Sequence, residues 1–335
     1  MSRLPAFLRL ATGALAASLA LTACGSSSSD GDDDAAFTFT DDLGVKITLD
    51  HQPERLVVQS SMAAALTDLG LGDKIVGVFG PLKNAEGEPD SQVAGLDIES
   101  VTDVTDESEY GNIKLEEVAK LKPDLIVTSS YVGDDLWYIN DATADDLRKQ
   151  YDILTVSFEG KKLPELLDST ERAAEALGAD LDSDEVKASH EAFKASSTAV
   201  KEASEALGDR TVLAGSAYPD TYYVSNPEVS PDLTYWRTEL GLPLTVPDKP
   251  DPNGGYFESL SWEKADKYPA DVFLWDDRIG QTGLDMMKKQ PVFATLEATK
   301  NDAFIPWTSV APSSYQAYAD IQERLATALK KFAAN

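Results

Sequence analysis

Residues 183–207, SDEVKASHEAFKASSTAVKEASEAL, lie between two halves of the chain that share a pattern. Val186, Phe193, Val200 and Leu207 recur every seven residues with Ala203 beside them, so the run reads as a helix with one narrow apolar seam. No glycine or proline interrupts it. At about 1.5 Å per residue the helix is on the order of 35 Å long, enough to cross from one compact lobe to another. A helical strut between two α/β lobes is the arrangement this predicts; the plainer alternative is a surface helix on one domain. A coiled coil is disfavoured, because Ser189, Ser196 and Ser197 stand where a zipper wants Leu or Ile.

On both sides of the strut, strand and helix patterns alternate. The first half opens on a hairpin, 37–40 and 45–49, with Asp42-Leu43-Gly44 as its turn. Strands are then expected at 55–59, 74–79, 124–128 and 152–157, and helices from Ser60 or Ser61 to Leu69 and at 115–121, 141–150 and 163–177. The second half offers strands at 211–215, 271–275 and 303–306 and helices at 231–240, 261–268, 291–296 and 313–332. Such alternation calls for largely parallel sheets covered on both faces. The expected fold is therefore α/β: two Rossmann-like lobes with mostly parallel sheets, at 37–178 and 210–335, joined by one long α-helix within 179–209, with a ligand cleft between the lobes.

Residues 1–23 carry Arg3 and Arg9, then an apolar run from Leu10 to Leu21 that is short for a membrane span, then small residues. That order reads as an export signal. Leu21-Thr22-Ala23-Cys24 resembles the lipobox of bacterial lipoproteins, which implies lipidation of Cys24, the single cysteine of the chain. Residues 24–36 contain nothing able to anchor them and read as a flexible tether. With 58 acidic against 29 basic residues, the chain has no basic footprint for nucleic acid, and anionic lipid would repel it without an acyl chain.

The most informative stretch is Gly111-Asn112-Ile113-Lys114-Leu115-Glu116-Glu117-Val118, continuing to Leu121-Lys122-Pro123-Asp124 and a strand. Asn112 or Lys114 precedes a helix with carboxylates in its first turn, and Pro123 stops it. The second half repeats the theme in Leu260-Ser261-Trp262-Glu263-Lys264, which runs to Pro269-Ala270-Asp271 and a strand, and Gln290-Pro291-Val292-Phe293 follows near the end. These segments, with the layout of lobe, long helix and lobe, resemble the binding proteins that serve ABC importers of iron siderophores, haem and cobalamin. The resemblance implies an extracytoplasmic, membrane-anchored monomer that hands its ligand to a permease. It also implies that Glu116 and Glu263 dock on that permease, with Glu117 as the fallback for the first. Taken alone, each carboxylate could simply favour its own helix, an effect of about 0.3–1 kcal/mol. The chain departs from many relatives at Met62-Ala63-Ala64-Ala65, where they carry a Glu.

Ligands of two-lobed α/β proteins sit beyond the carboxyl ends of the strands, and aromatics concentrate in those loops here. Tyr131, Trp137, Tyr138, Tyr218, Tyr222, Tyr223 and Trp275 are the candidate walls, with Lys83 and Arg278 as the cations. Trp236 and Trp307 read as structural. Neither His51 nor His190 falls in a cleft loop, which argues against zinc or manganese capture. A ferric siderophore brings its own iron ligands, so no resident cofactor is expected, and scarce cations lean toward a hydroxamate complex over an anionic catecholate. Haem held by a tyrosine, or cobalamin, is the alternative. A secreted hydrolase would need a Ser, His and acid constellation, and the chain has no Gly-x-Ser-x-Gly elbow. A two-lobed signalling receptor without an importer stays open.

Overall fold

The computed structural model describes residues 36–334. The export signal, Cys24 and all of the tether but Ala36 lie outside the described residues.

The first lobe runs β1 (Phe37–Thr40), β2 (Lys46–Leu49), β3 (Leu56–Gln59), α1 (Ser60–Asp68), β4 (Ile75–Phe79), β5 (Thr102–Asp103), α2 (Leu115–Leu121), β6 (Leu125–Ser130), α3 (Asp141–Leu147), β7 (Asp152–Ser157) and α4 (Leu163–Ala176). β1 and β2 form the expected hairpin, with Phe37 opposite Leu49. The remaining strands make one sheet in the order β5-β4-β3-β6-β7, parallel throughout. Leu56-Val57-Val58 is apolar without alternation because both faces of such a sheet are covered. Leu56 and Val58 enter one core and Val57 the other. α1 is capped by Gln59 instead of Ser60 or Ser61: its Oε1 accepts from the Met62 N–H at 3.2 Å and from Ser61 Oγ at 2.8 Å.

The second lobe follows α5 (Asp184–Ala206) with β8 (Val212–Tyr218), β9 (Thr221–Ser225), α6 (Pro231–Thr238), β10 (Phe257–Leu260), β11 (Val272–Asp276), α7 (Gly280–Lys288), α8 (Glu297–Lys300), β12 (Phe304–Trp307) and α9 (Tyr315–Ala333). Its sheet order is β10-β9-β8-β11-β12, with β8, β11 and β12 parallel and β9 antiparallel to both neighbours. The sheet is thus mixed where the sequence pattern suggested a mostly parallel one. Pro219-Asp220 turns the chain straight back, pairing Tyr218 with Thr221. The helix expected at 261–268 is a single 3₁₀ turn, Trp262–Lys264. Beyond it Tyr268 is drawn into the core, donating its hydroxyl to Glu258, while Pro269 follows.

Gly215 lies at the centre of this sheet, where β9 comes close. A Cβ there would stand 2.6 Å from the Tyr223 carbonyl oxygen and 3.0 Å from Phe273 Cζ. Gly215→Ala is expected to destabilise the protein by about 1–3 kcal/mol, read as a lower urea midpoint.

The strut is α5, capped by Ser183, whose side chain accepts from the Val186 N–H at 3.3 Å. Val186 packs into the first-lobe core, whereas Phe193, Val200, Ala203 and Leu207 pack into the second. Each fully buried Val, Leu or Phe stabilises by about 1.5–3 kcal/mol, so the seam fastens both ends. α5 runs alongside α9. The seam serines suit that approach: Ser196 and Ser204 donate back to the Phe193 and Val200 carbonyls, and Ser197 donates to Gln322 Oε1 at 3.1 Å. α4 belongs to both lobes, with Leu166, Ala173 and Ala174 in the first core and Leu163 and Leu167 in the second.

The start of α9 is tied to the first lobe. Asp68, at the end of α1, accepts from Ser314 Oγ and from Gln316 Nε2 at 3.2 Å; Ser313 accepts from Thr170 at 3.0 Å, and Tyr315 donates to Asp168 at 2.6 Å. Burial pushes the Asp68 carboxyl up to about 6, against the Ser314 hydrogen bond and with the help of Asp320. The folded protein therefore keeps a proton there that the unfolded chain releases near pH 4. That contribution is present below about pH 4 and is lost as pH rises through about 6. Asp68→Asn should remove the slope, gaining about 1–2 kcal/mol over wild type at pH 7 and nothing at pH 4 in parallel denaturation curves.

Candidate ligand crevice

The loop after β6 folds back over the end of its own strand. Trp137 N–H donates to the Ser129 carbonyl at 2.8 Å, Thr128 Oγ1 to the Trp137 carbonyl at 2.9 Å, and Ser130 Oγ to the Gly133 carbonyl at 2.7 Å. These bonds fix three aromatic side chains. Tyr131 and Trp137 have ring centroids 4.6 Å apart, Trp137 and Tyr138 5.3 Å, and Tyr110 joins from the preceding loop at 5.2 Å from Tyr138. Tyr138 sits at φ +58°, a left-handed conformation that few bulky residues adopt, and its ring lies over Gly80.

The second lobe faces this cluster with the turn that follows β11. Asp276 is 1% exposed and grips Arg278 through both oxygens, Nε to Oδ1 at 2.9 Å and Nη2 to Oδ2 at 2.6 Å. The Arg278 guanidinium is near enough to Tyr110, Tyr131 and Tyr138 to act on their hydroxyls electrostatically. Burial nevertheless dominates at each, pushing Tyr138 up to about 12 and Tyr131 higher. Asp277 accepts from Ser91 Oγ of the first lobe at 2.9 Å and from Thr308 Oγ1 at 2.6 Å, and burial raises its carboxyl. On the other side, Tyr256 Oη donates to the Tyr131 carbonyl at 2.8 Å, and Gly254 packs so close to Val132 that a Cβ would stand 2.6 Å from Val132 Cγ2.

Two polar atoms within the aromatic cluster stand out. The Tyr131 hydroxyl and the Trp137 indole nitrogen are buried without a protein hydrogen bond, an arrangement that costs about 1–3 kcal/mol per group. Both are hydrogen-bond donors left without an acceptor. Beside the cluster, a cavity bounded by Glu86, Asp90, Asp277 and Arg278, which the four aromatic side chains do not line, has a volume of about 200 Å³. Ligand sites run to about 300–1,000 Å³, so admission of a bulky ligand requires the lobes to part. The hydrogen bonds from Tyr256 to the Tyr131 carbonyl and from Ser91 to Asp277 join the lobes here.

Of the residues proposed from sequence, Tyr131, Trp137, Tyr138 and Arg278 come together. Tyr222 does not: its side chain is fully buried in the second-lobe core against Phe273 and Phe293, because it points to the covered face of β9. Trp275 packs against that same core. Tyr218 and Tyr223 pair with each other at 6.0 Å on the second lobe, and Tyr218 is 68% exposed. Lys83 is exposed and pairs with Glu99 at 3.4 Å. Trp236 and Trp307 are core residues, the latter donating its indole N–H to Asp232 at 2.7 Å. Tyr110, Tyr256 and Asp276 were missed. Glu116 and Glu263 are both exposed, on α2 and on the 3₁₀ turn, whereas Glu117 is engaged by Lys120 at 2.6 Å. Among the described residues no cluster of three His, Cys, Asp or Glu side chains could hold a metal ion.

No curated protein matches the chain. Among solved structures, the fold is similar to that of DesE, a ferric-siderophore receptor protein from Streptomyces coelicolor: 33% identity, TM-score 0.80, covering 88% of this chain and 98% of that one. It is also similar in fold to the petrobactin-binding protein YclQ from Bacillus subtilis, at 20% identity and TM-score 0.64 over 88% of this chain and 98% of that one. FhuD2 from Staphylococcus aureus, solved with bound ferrioxamine B, shares the fold at 18% identity and TM-score 0.55 over 83% and 99%. Residues 56–311 match the periplasmic binding protein family, and on that match and the likeness to DesE the chain belongs to this family.

Proposed function

We propose that this protein is the extracytoplasmic binding component of an ABC importer, anchored to the cell membrane by a lipid on Cys24, and that it captures a ferric siderophore between its lobes. The observation that carries this reading is the aromatic cluster of Tyr110, Tyr131, Trp137 and Tyr138, with two unpaired buried donors, facing Arg278 across the crevice. Aromatic walls suit a bulky, partly apolar chelate, and few fixed donors orient its oxygens. The likeness to DesE supports iron chelates as the class, and a crevice with a single cation among several carboxylates supports a hydroxamate. Iron arrives inside the chelate, so the protein needs no metal ligands of its own. Glu116 and Glu263, exposed on separate lobes that α5 holds together, then engage the permease.

Titrating the unlipidated protein with ferrioxamine B, ferrichrome, a ferric tris-catecholate, haemin and cobalamin tests the ligand class. Tryptophan fluorescence should be quenched by at least one ferric siderophore at micromolar concentration or below. Quenching by haemin or cobalamin alone would assign the alternative ligand, and quenching by none of the five would refute the class.

A further inference from the structure

We infer that Asp276 sets the charge class of the ligand: by closing an ion pair with Arg278 it cancels the one positive charge at the interlobe cavity, so a neutral or cationic chelate is accepted and an anionic one is turned away. The inference rests on the ferric-siderophore reading and adds the residue that decides which siderophores qualify.

Arg278 is the one cation among the residues bounding the interlobe cavity; Glu86, Asp90 and Asp277 share that boundary with it. Asp276 holds two of its five guanidinium N–H groups, those on Nε and one on Nη2. The remaining donors can still bond a neutral carbonyl-type oxygen, but the positive charge is cancelled at hydrogen-bond distance. Two of these three acids are held in place. Asp277 is held by Ser91 and Thr308, and Asp90 accepts from the Gln92 N–H at 2.9 Å and from Gln92 Nε2 at 3.0 Å. Lys83 cannot compensate, being exposed and paired with Glu99. A purely structural role for the pair would be to cap the 3₁₀ turn Asp277–Ile279. The cap, however, uses only the Arg278 backbone N–H on Asp276 Oδ1 at 3.2 Å, and the two-point grip on the guanidinium is additional. Like charges brought together in a site of low dielectric discriminate strongly between ligands of similar shape.

The test is binding of three iron(III) chelates to wild type and to Asp276→Asn: cationic ferrioxamine B, neutral ferrichrome and a trianionic tris-catecholate. Wild type should rank them in that order. Asp276→Asn should raise affinity for the tris-catecholate about tenfold or more relative to ferrioxamine B, equivalent to ~1.4 kcal/mol, and the change should shrink in high salt. An equal shift for all three chelates would overturn the inference. Should Asp276→Asn fail to fold, Asp276→Ser, which keeps an acceptor for the Arg278 backbone N–H, must move the same ratio in the same direction, and an unchanged ratio is equally contrary. If wild type binds none of the three, the siderophore reading falls and takes the inference with it.

Discussion

Replacing Arg278 with alanine should lower stability by about 3 kcal/mol, visible as a drop in urea midpoint, and should also abolish high-affinity ligand binding. Asp276 is 1% exposed, so removal of its partner strands a carboxylate in the protein interior. Such losses run to about 3–5 kcal/mol, and the lower end applies because the Arg278 side chain is itself 29% exposed. The double variant Arg278→Met with Asp276→Leu should recover most of the stability and none of the binding. Recovery of both would show that the pair serves folding alone.

The second large effect is expected in cells. Glu116→Ala combined with Glu263→Ala should reduce iron-chelate uptake to background while the affinity of the purified protein for its ligand stays unchanged. Both carboxylates are exposed, and among the described residues neither makes a hydrogen bond or ion pair, Glu116 adding only to the field at Lys120, which Glu117 already holds. Stability should therefore move by no more than about 0.5 kcal/mol. Weakened binding in vitro would place these residues at the crevice instead of the permease.

Long-range layout was the easiest part to read from the chain. Heptad spacing in 183–207 locates α5 because helix periodicity is a local property. Parallel strands such as β6 and β7 were visible for a similar reason, burial on both faces leaving uninterrupted apolar runs. The second-lobe sheet was harder. Residues 217–225 hold most of the β8–β9 hairpin, whose signal is Pro219-Asp220 between Ala217-Tyr218 and Tyr222-Tyr223-Val224, so Tyr222, expected among the ligand residues, lies on a strand. A tyrosine on a strand can face either side, and only the register decided that this one faces the core.

Site residues were legible in proportion to how much of their role is local. The loop aromatics Tyr131, Trp137 and Tyr138 follow one strand and could be grouped from sequence. Tyr256 and Tyr110 could not, since their partners lie far away in the chain and their loops are polar; the pair Gly254-Gly255 was the sole local hint that the backbone there approaches another segment. α5 fastens both lobes, but the cavity of about 200 Å³ and the bonds from Tyr256 and Ser91 show lobes in contact. Some opening must therefore precede capture, even if the strut keeps it small.

The central claim is that a ferric chelate is held between the lobes by the Tyr131 cluster and Arg278. An anomalous-difference map at the iron edge, from crystals grown with ferrioxamine B, tests it most directly. One strong peak flanked by Tyr131, Trp137, Tyr138 and Arg278, with no protein atom coordinating the metal, is the result predicted. A peak elsewhere on the chain, or iron ligated directly by a tyrosine, would contradict it.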